Sequence, residues 1–260
     1  MAFALSERAR QAGHRILSFD EIGSTNAEAL QRAREGERGP LWVVARRQTA
    51  GRGRRGREWQ TLDGNLAATF LRSVRCSAST AATLSLVAGL AVLEALQTCA
   101  PGLDVTLKWP NDVTAGGAKL AGILLESESL DKSVIAAIGI GTNVATAPTG
   151  LPYPATSIGM LGRHVTAEQL FSALTAAWID LESLWSEGRG METIRSLWLR
   201  HAAGLGARIA VQAGNREILG IFDTIDSEGR LIVRTDDGAL LPIVAGEVHF
   251  ARSSAKAGAH

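Results

Sequence analysis

Seven consecutive residues, Gly51-Arg-Gly-Arg-Arg-Gly-Arg57, carry the densest chemistry in the chain. Three glycines let a backbone approach a ligand closely and adopt left-handed conformations. Four guanidiniums this close repel one another, so the loop is expected to be mobile until an anion arrives. Phosphate is the natural anion, because guanidinium binds it through a bidentate fork. The GxxxxGK[ST] spacing of a P-loop is absent. A phosphate-bearing small ligand, a nucleic acid and a solvated basic loop all fit this composition. Lysine is used more sparingly. The chain has 23 Arg and 4 Lys, and two of those lysines, Lys108 and Lys119, stand within twelve residues of each other. A scarce lysine inside a motif suggests that a compact ammonium is needed there.

Three more constellations could serve a site. Lys108-Trp-Pro-Asn-Asp112 reads as a strand ended by proline, with Asn111 and Asp112 in the turn beyond it. Lys119 opens a strand after the Gly116-Gly117 hairpin signal, where its ammonium can face a cleft or simply solvent. Gly139-Ile-Gly-Thr-Asn143 ends an apolar run, and glycines there permit close approach by a ligand or another backbone. Gly23-Ser-Thr-Asn26 reads as a helix start. Thr25 with Glu28 three residues on fits a capping box, and the free N–H groups of such a terminus suit a carboxylate or a urea-like carbonyl.

The elements that must position these residues follow from periodicity. Strands are expected over 15–19, 41–45, 65–72, 105–109, 119–126 and 134–140, the last buried on both faces. Helices are expected over 25–35, 80–98, 166–185 and 191–200. From residue 207 only short strands with turn residues remain: 208–211, 218–225, 230–234, 240–244 and 247–250. Five strands in so short a stretch suggest a small barrel appended to an α+β domain. The expected division is a catalytic domain over 1–203 and a small all-β domain over 204–260, with residues 253–260 frayed.

Composition sets the outer bounds. With 260 residues, 46% hydrophobic and 20% charged, the chain is globular and needs no staples. No uninterrupted apolar run reaches a membrane span, and Met1–Arg10 has no secretory signal pattern. Two cysteines make no disulfide framework or zinc site, and His14, His164, His201, His249 and His260 share no ligand spacing. A cytoplasmic protein with no membrane partner is expected.

Taken in order, Gly23–Asn26, Gln48–Arg57, Lys108–Asp112, Lys119-Leu-Ala-Gly-Ile-Leu and Gly139–Asn143 resemble the biotin–protein ligases over roughly residues 15 to 250. The resemblance implies a mixed-sheet catalytic domain of the class II synthetase-like kind, with flanking helices and a C-terminal Src-homology-3-like barrel. It implies a two-step activity: biotin and MgATP give biotinyl-5′-adenylate and pyrophosphate, and the biotinyl group then passes to a lysine of a carboxyl carrier domain. Biotin, ATP and Mg2+ are the implied small molecules, with Mg2+ arriving on ATP rather than at a protein site. By resemblance Lys119 bridges the biotin carboxylate and the α-phosphate. Arg54, with Arg52 and Gly53, belongs to a loop closing over biotin and adenylate. Ser24, Thr25, Asn26, Gln48 and Gly122 match biotin contacts. Arg54, Arg55, Asn111, Lys119 and Asn143 fall at nucleotide positions, and Asp112 is a candidate base for the acceptor amine. Ala118 departs from the Arg, Lys or Gly that often precedes the motif lysine. Trp59 is either the adenine-stacking aromatic or a core anchor for the loop, and Arg252 is a candidate nucleotide contact from the barrel. Only about 14 residues precede the first strand, so a monofunctional ligase without DNA binding is expected, with a homodimer as a possible assembly. Two rivals remain at this point: a lipoate or octanoate ligase of the same fold, and an RNA-binding protein using the arginine loop, which would need exposed stacking aromatics.

Overall fold

A computed structural model of the chain describes residues 2–130 and 133–250. The sequence readings of Arg252 and of a frayed tail lie outside the described residues. In chain order the elements are α1 (Glu7–Gln11), β1 (Arg15–Ile22), α2 (Thr25–Arg34), β2 (Leu41–Gln48), β3 (Leu66–Val74), α3 (Ala78–Ala82) and α4 (Leu84–Cys99). They continue with β4 (Val105–Lys108), β5 (Asp112–Ala115), β6 (Ala118–Leu130), β7 (Ser133–Thr142), α5 (Ala167–Trp185) and α6 (Met191–Arg200). Five short strands close the described chain: β8 (Arg208–Ala213), β9 (Arg216–Ile225), β10 (Leu231–Arg234), β11 (Leu240–Ile243) and β12 (Glu247–Phe250).

The first sheet has the order β1-β2-β3-β7-β6-β5-β4. Only β1 and β2 pair in parallel, so the sheet is mixed, as expected. The second sheet, β11-β10-β9-β8-β12, is antiparallel throughout and matches the five short runs read from the sequence.

Alternation along the central strands sorts side chains between two layers. Trp42, Val44, Phe70, Ile138 and Ile140 face α4 and α5. Leu41, Val43, Leu71, Ile135 and Ala137 face Ala29, Leu30 and Ala33 of α2. Both sheet faces are therefore covered, which is why β7 reads as an unbroken apolar run. Trp42, Phe70 and Trp178 pack with ring centroids 4.7 to 5.7 Å apart. His14 stacks on Phe70 at 5.2 Å and accepts the Trp42 indole N–H at 3.1 Å. Burial first, and the nearby Arg72 charge second, push the His14 imidazole down to about 4.

Three local expectations are corrected and one element is added. The cap of α2 is Ser24, whose hydroxyl accepts the Ala27 N–H, because Thr25 turns inward to other partners. The helix expected over 80–98 is two helices meeting at Thr83, whose hydroxyl bonds the Thr80 carbonyl and accepts the Trp185 indole N–H. The short helix α1 was not read from the sequence. Asp112 lies at the start of β5 rather than in a turn, and only Asn111 belongs to the turn. In addition, Ala78–Cys99 is long and apolar enough by composition to cross a membrane, but 72% of that window is buried inside the fold.

Candidate active site

Gly139 and Gly141 alternate with Ile138 and Ile140, so both glycines present bare backbone to the α2 side of the sheet. Gly122 pairs with Gly141 in register across β6 and β7. Neighbouring side chains fill the three vacancies. A methyl on Gly139 would stand 2.4 Å from Asn26 Oδ1, and one on Gly141 would stand 2.3 Å from the Trp59 ring. A methyl on Gly122 would come within 3.1 Å of both Trp59 and Lys119 Cε. Glycine here makes room for side chains over the sheet, and Trp59 is thereby pinned flat as one wall of a cleft of about 540 Å³.

At the Gly139 end the cleft is lined by hydroxyls and amides, with the Glu126 carboxylate behind Asn26. Thr25 donates its backbone N–H and its hydroxyl to Gln48 Oε1, at 2.9 and 3.1 Å. Gln48 Nε2 donates onward to Thr61 at 3.1 Å. The Thr69 hydroxyl lies 2.6 Å from Asn26 Oδ1 and 2.8 Å from Thr25 Oγ1. Asn26 Nδ2 donates to the Leu124 carbonyl and, at 2.8 Å, to Glu126 Oε2. The Thr25 N–H expected to be free at this helix terminus is taken by Gln48. Three oxygen–oxygen contacts, Thr69–Asn26, Thr69–Thr25 and Thr25–Gln48, share two hydroxyl protons. Because Gln48 Oε1 also takes the Thr25 backbone N–H, every acceptor in the set has a donor.

About 7 Å further along the sheet, two residues of strand, the cleft becomes cationic. Gly116 and Gly117 both take positive φ, 57° and 78°, and turn β5 into β6. Lys119 follows, and its ammonium lies 2.7 Å from Asp112 Oδ1. That contact is an ion pair without hydrogen-bond geometry, and Asp112 Oδ1 is a buried oxygen with no hydrogen-bond partner. Asn111 ties the corner together: Nδ2 donates to the Ile123 carbonyl at 2.7 Å, and Oδ1 accepts from Arg54 at 3.3 Å.

The glycine–arginine loop is a tight hairpin, held by Trp59 N–H to Gly51 O at 3.0 Å and Gly53 N–H to Arg57 O at 2.7 Å. Its mutual repulsion is relieved by acceptors from elsewhere. Arg52 lies 3.7 Å from Glu126, Arg54 reaches Asn111, and Arg57 pairs with Glu247 of β12. These partners hold the hairpin against the sheet and the second domain. Burial, and then the neighbouring Arg55 charge, lowers the Arg54 guanidinium below its ordinary value while leaving it cationic at neutral pH. Arg55 itself adopts the left-handed region, φ 59°, and is exposed.

Ser24, Thr25, Asn26, Gln48, Arg52, Gly53, Arg54, Arg55, Asn111, Asp112, Lys119 and Gly122 all line this one cleft. Asn143 does not. It is buried, bonds the Thr156 carbonyl at 3.1 Å, and borders a second cavity of about 340 Å³ beside Lys119, Trp59 and Tyr153. Sequence reasoning missed Thr69, Thr61, Glu126, Tyr153 and Glu247. Thr69 had a local signal, being a lone hydroxyl in the otherwise apolar first half of β3; the others depend on long-range pairing. Trp59 lies with one side of its ring against Gly122 and Gly141 and is half-buried. Among the described residues no group of three or more His, Cys, Asp or Glu could hold a metal.

Comparison with known proteins matches residues 19–143 to the biotin/lipoate A/B protein ligase family and residues 204–250 to the biotin protein ligase C-terminal domain. A biotin–[acetyl-CoA-carboxylase] ligase of Paracoccus denitrificans is 43% identical over 87% of this chain and 97% of its own length. One from Mycobacterium tuberculosis is 35% identical over 88% of this chain and 86% of its own. Among solved structures, the biotin protein ligase of Aquifex aeolicus in complex with biotin and ATP superposes with a TM-score of 0.75 at 26% identity, covering 92% of this chain and 99% of that one.

Proposed function

The chain belongs to the biotin/lipoate protein ligase family, within its biotin–protein ligases, and we propose that the cleft over Gly122, Gly139 and Gly141 is where it joins biotin to ATP. Its activity is ATP-dependent ligation of biotin: activation to biotinyl-5′-adenylate with release of pyrophosphate, then transfer to a protein lysine. The observation that supports the site is the division of one cleft into an end of hydroxyls and amides and a cationic end about 7 Å apart. A ureido ring has two N–H donors and a carbonyl, and it suits the hydroxyls and amides of Thr25, Asn26, Gln48 and Thr69 beside the Ser24 cap. A dithiolane ring offers no comparable donors and acceptors, which disfavours lipoate.

In the first step a carboxylate must meet a phosphate, and the two anions repel. Lys119 places a point charge between them, while Arg54, steered by Asn111, and Arg52, beside Gly53, close over the adduct. Arg55 lies at the mouth for the nucleotide, and Asn143 shapes the second cavity that the nucleotide reaches. Mg2+ supplies charge neutralisation on the triphosphate when bound with it. The loop hairpin excludes water from a hydrolysable anhydride. Once an anion takes Lys119, Asp112 Oδ1 loses its ion-pair partner and becomes free to accept a proton from the incoming amine.

The acceptor in this reading is a carboxyl carrier domain of a biotin-dependent carboxylase, met in the cytoplasm, with no DNA target and with a homodimer as one possible assembly. The functional division falls between residues 203 and 204. The test is incubation with biotin, MgATP and a purified carrier domain, followed by intact-mass measurement. A single biotinyl mass increment that requires ATP supports the reading; an unmodified carrier with active control ligase overturns it.

A further inference from the structure

Lys119 is bracketed on three sides. Asp112 Oδ1 lies 2.7 Å from its ammonium, the Trp59 ring centroid 5.6 Å away, and the Tyr153 ring centroid 5.5 Å away. Both rings fall within the ~6 Å over which a cation is drawn to an aromatic face. Nothing in the motif order draws notice to Tyr153, although it is the only tyrosine in the chain. Its placement is built into the backbone. The Lys119 N–H donates to the Pro154 carbonyl at 2.9 Å, and the Thr156 N–H donates to the Lys119 carbonyl at 2.9 Å. Ala155 thus pairs in parallel with Lys119, as a one-residue extension beside β6. Partners in such a bridge project to the same side, and Tyr153, in the bend two residues earlier, brings its ring to the same ammonium. The opposing ring is fixed independently, since Trp59 is seated on Gly122 and Gly141.

We propose that Tyr153 is a positioning residue for Lys119: with Trp59 it forms an aromatic clamp that holds the ammonium along one line in the cleft. The inference rests on the biotin-activation reading of this site and deepens it. A lysine stem has four rotatable bonds, and a bridge between two anions works only if its charge is already in place. Asp112 alone would draw the ammonium toward β5, away from an incoming carboxylate. Two ring faces offer attraction that does not compete with anions for the N–H donors. Lys119 can therefore leave Asp112 for the reacting oxygens while the clamp keeps hold of it. An aromatic face suits this role better than a second carboxylate, which would hold the ammonium by the donors the reaction needs.

The test separates the clamp from a plain nucleotide wall. Biotin-dependent pyrophosphate exchange is measured for wild type, Tyr153→Phe, Tyr153→Leu, and for a series carrying phenylalanine with one, two and three ring fluorines at position 153. Fluorine withdraws charge from the ring face at nearly constant shape. In parallel, lysine labelled with 13C reports the ε-methylene of Lys119, assigned with Lys119→Arg. The expected result is near-wild-type exchange in Tyr153→Phe, a graded fall of kcat with each fluorine at constant KM for ATP, and about a tenfold loss in Tyr153→Leu. The Lys119 signal should be ring-shifted upfield in wild type and move downfield in Tyr153→Leu. A flat fluorine series, with the Leu variant's loss confined to KM for ATP, would overturn the clamp and leave Tyr153 as a nucleotide wall. A Lys119 signal unmoved by Tyr153→Leu would overturn it as well. A ring-shifted signal in a wild-type chain without biotin-dependent exchange would instead overturn the reaction assigned to the site, with the clamp's geometry intact.

Discussion

Replacing Gly141 by alanine separates folding from function more sharply than any other single change in this molecule. Gly141 has no positive φ and lies within β7, so the backbone accepts a side chain there. Losing a glycine from the unfolded chain stabilises by up to about 1 kcal/mol where the native conformation tolerates it. The new methyl meets Trp59, with Cε2 at 2.3 Å and Cζ2 and Nε1 at 2.5 Å. Ordinary contact begins at 3.4 Å, so the indole must retreat by about 1.1 Å. Trp59 carries one ring face of the Lys119 site and, through its backbone N–H to the Gly51 carbonyl, the exit of the arginine loop. A displacement of about 1 Å at a reacting centre costs on the order of 10²-fold in rate. The overpacking costs about 1 to 3 kcal/mol and the glycine term offsets part of it, so Gly141→Ala should lose no more than about 2 kcal/mol of stability yet lose roughly 10²-fold in biotin-dependent pyrophosphate exchange. Gly122→Ala, whose methyl would sit 3.1 Å from the same ring, should lose less. Paired urea unfolding and exchange assays decide the matter. A Gly141→Ala protein that folds and exchanges within twofold of wild type would refute the reasoning.

Other expectations follow from the same geometry. Thr69→Val removes the hydroxyl shared between Asn26 Oδ1 and Thr25 Oγ1, which should cost about 1 to 3 kcal/mol of stability and raise KM for biotin far more than KM for ATP; equal changes in the two KM values would contradict the assignment of the polar end. The His14 imidazole is held near 4 in the folded state against 6.5 unfolded. The unfolded chain therefore binds the extra proton first, and stability should fall as pH drops from 6.5 to 4, by up to about 3 kcal/mol. Urea unfolding across that range should show a shallower slope in His14→Phe, and an unchanged slope would remove His14 from the account. Asp112→Asn should leave adenylate formation largely intact but slow transfer to the carrier lysine by about 10²-fold or more, read in single-turnover experiments; normal transfer would rule out Asp112 as the base.

The strands and helices that carry the site were legible where periodicity was strong. The β7 run with glycines two residues apart announced a bare sheet face, since alternation puts Gly139 and Gly141 on the same side. The five short strands after residue 207 were marked by their turn residues. β5 escaped notice because Asn111 and Asp112 are turn-forming types, and only pairing with β4 and β6 makes the segment a strand. Thr25 looked like a cap because its spacing to Glu28 is right. Its hydroxyl goes instead to Gln48, 23 residues away, and Ser24 takes the capping role. The chemistry of the site was legible in types and order, but its partners were not. Thr69 bonds across 43 residues to Asn26, and Arg57 reaches Glu247 near the end of the described chain. Charge repulsion within the loop was legible, but the tertiary partners of its arginines, Glu126, Asn111 and Glu247, were not.

The central claim is that one cleft activates biotin with ATP through Lys119. The most direct measurement is exchange of labelled pyrophosphate into ATP with biotin, with lipoate in parallel and with Lys119→Ala as the altered chain. The account predicts exchange with biotin only, reduced to background in Lys119→Ala. Exchange with lipoate in place of biotin, or undiminished exchange without Lys119, would contradict it.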